Sequence, residues 1–185
     1  MNTTELLDRA VAVLNANHGA SMATIAEQIG ISRATLNRRF ASREDLLRQL
    51  GERATDRWER GLDAADAEAA AASGDASRIE RALRTLIHEY VAEADEYGFA
   101  LTDVFLEQVP ELARRSEELT DRETALLAAG QRAGLLRSDV PVRWLGWSMF
   151  GQLVAARDAL RFGDVGRRGL EDLVVTTLFE GVTNR

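Results

Sequence analysis

The sequence predicts an all-α fold, on three observations. Only two of its 185 residues are proline, Pro110 and Pro141, so helix breakers are scarce. Alanine, leucine, glutamate and arginine, all strong helix formers, are abundant. Apolar residues recur at helical spacing along the chain, and no segment shows the two-residue alternation of a half-buried strand.

Taken in order, Asn2 caps a first helix, Glu5 completes a capping box, and Leu6, Leu7, Ala10, Val11 and Leu14 form its apolar stripe. His18 and Gly19 end it. Ser21 caps a short second helix with Met22, Ile25, Ala26 and Ile29 facing inward, and Gly30 stops it as a left-handed residue would. Ser32 caps a third short helix, held to the core by Leu36 and Phe40. Ser42 caps a fourth, backed by Leu46, Leu47 and Leu50, and its pattern continues past Trp58 and Leu62 through an alanine-rich stretch to a break at residues 73–75. Ser77 with Glu80 opens a fifth helix, whose narrow apolar face runs from Ile79 through Leu83, Leu86, Ile87 and Tyr90 to Tyr97. A short sixth helix is expected over residues 99–108 and a long seventh from Pro110 to Gly134. Asp139 and Pro141 start an eighth, reaching residue 161, and a ninth covers residues 166–183. The expectation is about nine helices.

Charge divides the chain. Residues 1–60 carry net charge +1 and residues 61–185 carry −8, which together make the −7 of the whole. The shift places the division inside or just after the fourth helix: an N-terminal three-helix domain over residues 1–50 and a larger helical domain over 51–185. With no cysteine there is no disulfide framework or thiolate metal site. The opening residues lack a signal peptide's basic and apolar regions, and no apolar run approaches a membrane span, so a cytoplasmic protein without a membrane partner is expected. The two histidines, His18 and His88, fall in different domains, and no phosphate loop, zinc-protease motif or nucleophile elbow occurs. The expectation is a protein that is not an enzyme and needs no cofactor or metal.

Against that acidic background, residues 31–43, ISRATLNRRFASR, hold four arginines and no acid. Such clustering costs self-repulsion unless a negative partner meets it. The second and third helices, joined by a tight turn at Gly30 and Ile31, make a helix-turn-helix. With Leu36 facing inward, steps of 100° turn Ala34 and Arg38 most directly outward, flanked by Thr35 and Asn37, with Arg33 and Arg39 at the edges. Ala34 lets the backbone approach a groove wall, and its methyl can touch that of a thymine. Arg33, Arg39 and Arg43 are better placed for phosphate, and the amide ends after Ser21 and Ser42 suit the same anion.

The segments LLDRAVAVLNANHG, SMATIAEQIGISRATLNRRF and ASREDLL resemble the N-terminal domain of TetR-type (TetR/AcrR-like) transcriptional regulators. The resemblance is close over about 45 residues, while the remaining helices agree in number, length and order. It implies a recognition helix at residues 33–39 and a fourth helix linking it to a ligand-binding domain. It also implies DNA contacts at Ser21, Arg33, Thr35, Asn37, Arg39 and Arg43, to which the helical geometry adds Ser32, Ala34 and Arg38. Where the family usually has tyrosine this chain has Asn37, able to bond a phosphate or an adenine edge; Arg39 stands where histidine is frequent.

In the larger domain, residues 144–156, WLGWSMFGQLVAA, include only Ser148 and Gln152 as polar side chains. Apolar residues cover the whole circumference, so this helix must be buried on both sides, one against its own domain and the other best explained by a second subunit, the alternative being a central helix enclosed by its own chain. The ninth helix agrees, with Leu170, Val174 and Leu178 on one face and Val175, Phe179 and Val182 on another. The resemblance likewise implies a homodimer through the last two helices. Ligand-lining candidates are Trp58, Tyr90, Tyr97, Phe105, Trp144, Trp147 and Gln152. His88 lies opposite the apolar stripe and reads as solvated. The function expected is a transcriptional regulator that binds a near-palindromic double-stranded operator as a homodimer. It is read as a repressor released by a small-molecule effector. The alternative is a helical ligand-binding or adaptor protein whose basic helix meets an acidic protein; a steep salt dependence of binding separates the two.

Overall fold

In a computed structural model, which describes residues 2–94, 98–101 and 103–182, helix follows helix from end to end. They are α1 (Thr3–Ala16), α2 (Met22–Ile29), α3 (Arg33–Asn37), α4 (Arg43–Ala64), α5 (Ala67–Ser73) and α6 (Ala76–Ala94). A 3-10 turn at Gly98–Leu101 leads to α7 (Val104–Glu107), α8 (Pro110–Arg132), α9 (Val142–Phe162) and α10 (Arg167–Val182). No strand occurs among the described residues, so the fold is all-α.

The caps follow the sequence pattern. Asn2 accepts the Glu5 amide at 2.8 Å while Glu5 accepts the Asn2 amide at 2.8 Å, closing the capping box of α1. Ser21, Ser32 and Ser42 each accept the amide three residues on, at 3.1 Å. Gly30 ends α2 at φ +78°, where a side chain would be strained.

The structure differs from the sequence expectation in two places. The expected fourth helix is interrupted at Asp66, which takes φ +50°, so α4 and α5 are separate. The alanine-rich sequence has no reason to break there by propensity. Ion pairs hold the bend instead: Asp66 takes Arg78 at 2.5 Å, and Arg122 of α8 grips Asp63 at 2.6 Å before the bend and Glu68 after it. The expected sixth helix is a 3-10 turn and then the short α7, whose Asp103 cap accepts the Phe105 amide at 2.9 Å.

The chain divides into two compact units, Met1–Asp56 with Glu96–Arg115, and Arg57–Asp95 with Ser116–Arg185. The first unit is larger than residues 1–50 because Leu106, Val109 and Leu112 complete the core formed by Leu6, Leu14, Ile25, Leu36, Phe40 and Leu47. Gly51 permits that closure: a Cβ there would lie 2.7 Å from methyls of both Leu106 and Leu112. In the second unit α6 packs on α5, α9 and α10, and α9 packs on α10. Leu83, Leu86, Leu126, Leu145, Leu153 and Val174 are among its buried side chains. Among the described residues no helix is long and apolar enough to cross a membrane, and no cluster of three potential metal ligands occurs.

Candidate functional site

The first unit assembles the basic face from a short helix with two anchors. Leu36 and Phe40 are fully buried, which fixes the rotation of α3. Arg33, Ala34, Asn37, Arg38 and Arg39 are consequently exposed, with Thr35 half-buried at the edge. Ser32, the exposed cap, also bonds Thr35 Oγ1 at 2.9 Å, and Arg38 Nη2 donates to the same Thr35 hydroxyl at 3.3 Å. Ser21 is exposed at the start of α2, where its hydroxyl bonds both the amide and the hydroxyl of Thr24. Arginine side chains, an amide and hydroxyls therefore share one solvent-facing surface, the set of groups that reads phosphates and base edges.

Arg43 has a further task that its sequence position does not reveal. Its Nε donates to the Ala20 carbonyl at 3.1 Å and its Nη2 to the His18 carbonyl at 2.5 Å. The half-buried guanidinium thus holds the loop that delivers α2. At the start of α4, Asp45 accepts the Ala41 amide at 3.0 Å, and that bond, ahead of the Arg48 and Gln49 contacts, holds its carboxyl below the usual value. Glu44, in the first turn after Ser42, accepts its own amide, which lowers its carboxyl, so the amide end there is already met by a carboxylate of the chain itself.

In the second unit the expected ligand residues separate. Trp58 and Tyr90 come together around Glu123, a residue the sequence reading passed over. Tyr90 donates its hydroxyl proton to Glu123 Oε2 at 2.8 Å. The buried Trp58 indole N–H is close enough to favour the ionised carboxyl but makes no hydrogen bond of good geometry. Glu123 is 8% exposed, and burial outweighs both neighbours, pushing its pKa up to about 7. Burial likewise pushes the Tyr90 phenol well up, with the Glu123 charge adding to the effect. A signal was present in the sequence: Glu123 stands four residues after Leu119 and three before Leu126, on the apolar stripe of its helix.

Trp144 and Gln152 line an open groove of about 210 Å³ with Arg137, Ser148 and Thr177. Trp147 points outward. Phe105 packs half-buried against the core of the first unit, whereas Trp58, Tyr90, Trp144, Trp147 and Gln152 belong to the second. Tyr97 lies outside the described residues. His88 is exposed as expected but paired, with Nδ1 2.8 Å from Glu171, and that bond raises its pKa.

The two faces of α9 differ. Leu145, Met149, Leu153 and Ala156 are buried, whereas Trp144 is 61% exposed, Trp147 67% and Phe162 72%. Leu173 on α10 is 48% exposed, and Gly151 has open space where a side chain would project. Large apolar side chains on two packed helices thus remain uncovered in the single chain.

Comparisons with known proteins place these features in context. The description "Bacterial regulatory proteins, tetR family" matches residues 6–50, the segment carrying α1 to the first two turns of α4. The HTH-type transcriptional repressor LfrR of Mycolicibacterium smegmatis is 24% identical over 177 residues, covering 96% of this chain and 88% of that protein. Its structure in complex with proflavine superposes with a TM-score of 0.72 over 98% of this chain and 96% of that one, at 24% identity. SCO3833, a TetR-family regulator from Streptomyces coelicolor A3, is 26% identical, with a TM-score of 0.67 over 97% of this chain and 91% of that one.

Proposed function

Because this chain is a TetR-type DNA-binding transcriptional regulator, we propose that it acts as a homodimeric repressor, released from its operator by a small-molecule effector. In this reading residues 1–50 carry the DNA-binding helices within the first unit, and the second unit, Arg57–Asp95 with Ser116–Arg185, serves the effector and dimerisation. The observation that carries the reading is the exposed row Arg33, Ala34, Asn37, Arg38 and Arg39 on a helix anchored by Leu36 and Phe40. In this reading α3 enters the major groove. Arg38 and Thr35 read base edges, with Ala34 against the groove wall and Asn37 on a phosphate or an adenine. Arg33, Arg39 and the exposed Ser21 and Ser32 position the helix on phosphates. The remaining donors of Arg43 face the same backbone while the others hold the loop.

One helix-turn-helix offers few base contacts, so specificity requires two copies and a near-palindromic operator, with half-sites about 34–36 Å apart or a multiple of that spacing. The uncovered Trp144, Trp147 and Leu173 support dimerisation through α9 and α10. That LfrR is a repressor seen with proflavine supports a small-molecule effector here. The effector acts in the second unit, and α4, which carries Arg43 at one end and Trp58 beyond its middle, transmits its effect. Selection of bound sequences from random duplex DNA with the purified protein tests the proposal. The expected product is an inverted repeat, bound with a log–log salt slope of about −0.9 per phosphate contacted. Recovery of no consensus, or of a single half-site, would contradict it.

A further inference from the structure

We propose that Glu123 is the anchor for a cationic effector, a small and largely apolar molecule whose single positive charge sits against this carboxylate. This rests on the effector reading above and names the class of molecule.

Three observations carry it. First, Glu123 is buried without a cation: among the described residues it pairs with no arginine or histidine. Arg122, its neighbour in sequence, is turned to Asp63 and Glu68. A buried carboxylate is normally paired, and one that is not marks a site rather than a strut. Second, its surroundings suit a cation with an aromatic or aliphatic body. Tyr90 brings its hydroxyl and Trp58 its indole N–H toward the carboxylate, so two aromatic side chains stand beside it for the body of the cation to pack on. On α9 the facing residue is Gly146, where a Cβ would stand 3.3 Å from Glu123 Oε1 and 3.8 Å from Leu127. Third, Leu127 borders an apolar void of about 20 Å³, whose lining includes Ile87, Met149 and Phe179. Room for one water is too little for an effector, so binding must move side chains. Met149 is a flexible thioether and Phe179 is only half-buried, which makes that wall yielding. The polar end at Glu123 and the apolar end at the void lie on successive turns of α6, α8 and α9.

An anion would meet like charge here, and a neutral molecule would leave the carboxylate as costly as before. The groups facing Glu123 are few: Tyr90 from α6, the uncharged Trp58 from α4 and Gly146 from α9, with Arg122 of α8 acting on Tyr90. The ionised fraction of Glu123 therefore governs cation binding.

The test uses the full chain without DNA, so that it stands apart from the operator experiment. Isothermal titration compares N-methylacridinium with acridine, uncharged at pH 8, and with anthracene-9-carboxylate, an anion of similar size. The cation should bind wild type more tightly than either. Its affinity should rise roughly tenfold from pH 6 to pH 8 as the carboxyl, with its pKa near 7, ionises. Glu123→Gln should weaken the cation roughly 30-fold or more at pH 8 and abolish the pH dependence. Tyr90→Phe should retain cation binding but move its pH midpoint upward, because the lost hydrogen bond favours the ionised form. That shift separates a charge anchor from a merely structural residue. Equal affinity for N-methylacridinium and acridine, undiminished binding by Glu123→Gln, or no binding of the cation at millimolar concentration would each overturn the proposal. None of these outcomes bears on DNA binding, and failure to find an operator would leave the cation result standing.

Discussion

Replacing Glu123 with glutamine should stabilise the protein, and by an amount that grows with pH. An amide is neutral throughout, is close in shape to the acid, and its carbonyl can still accept the Tyr90 hydroxyl. The carboxyl has an ordinary value of 4.5 in the unfolded chain and about 7 in the folded one. Well below 4.5 it is protonated in both states and contributes no difference. As pH rises through that value the unfolded chain releases the proton while the folded chain keeps it, and folding weakens. Above about 7 both states are ionised and the loss is complete. The interval between the two values corresponds to about 3 kcal/mol. Glu123→Gln should therefore be more stable than wild type by about 1 kcal/mol at pH 5 and about 3 kcal/mol at pH 8. For a chain of this size the latter is a rise in Tm of roughly 6–12 °C. Thermal unfolding of both proteins at both pH values, followed by circular dichroism or calorimetry, supplies the double difference, in which every other titrating group cancels. A gap equal at the two pH values, or a variant less stable at pH 8, would show that Glu123 is not held as a costly buried charge.

Arg38→Ala should relax preference at particular base pairs by about 1–3 kcal/mol, read from selected-site enrichment, while leaving the fold intact. Arg43→Ala should weaken all sequences about equally and also lower the unfolding temperature, because it removes both bonds to the loop before α2. Trp147→Glu should abolish the dimer in sedimentation without loss of helicity, since that side chain is 67% exposed in the single chain. A dimer that persists in this variant would rule out the exposed α9 face as the seam. Gly51→Ala should cost about 1–3 kcal/mol in denaturant unfolding by crowding Leu106 and Leu112, and an unchanged midpoint would refute the close packing of those leucines.

How much was legible in the sequence depended on how local each cause was. The caps at Asn2, Ser21, Ser32 and Ser42 are bonds over three residues, so spacing alone located them. The outward face of α3 was legible for the same reason, because one buried residue, Leu36, fixes the rotation of a whole short helix. The bend at Asp66 was not, since Arg122 lies 54 residues beyond Glu68 and nothing local marks their pairing. Arg43 shows the limit differently: its charge is visible, but that two of its donors are taken by the His18 and Ala20 carbonyls depends on how the loop folds back. Of the aromatic ligand candidates, Trp58 and Tyr90 stand beside one another, whereas Phe105 packs against the other unit's core. The acid between Leu119 and Leu126 was the stronger clue, because a charge on a buried stripe requires a reason whereas an aromatic there does not.

The cost carried by Glu123 also sets a scale for regulation. Weakening operator binding by 5- to 150-fold requires a coupling of about 1–3 kcal/mol between the two sites. The buried charge is worth about 3 kcal/mol at pH 8 by the interval above, so relief of this one group by one cation is large enough, without any contribution from added apolar contact. Size alone does not make it regulatory. A cation that relieves Glu123 equally in the DNA-bound and the released protein shifts nothing, however tightly it binds. The relief must differ between the two, and Trp58 is the neighbour through which it can, because its helix α4 is the one that begins at Arg43. If the Trp58 indole sits nearer the carboxylate in one arrangement, the charge is better solvated there and the cation has less to relieve. Linkage then makes the effect mutual: operator DNA must weaken N-methylacridinium binding by the same factor by which the cation weakens operator binding. Titrations of the cation with and without operator measure that factor directly. Equal affinities would mean that Glu123 binds cations without governing DNA release, and that α4 does not carry the signal from this carboxylate.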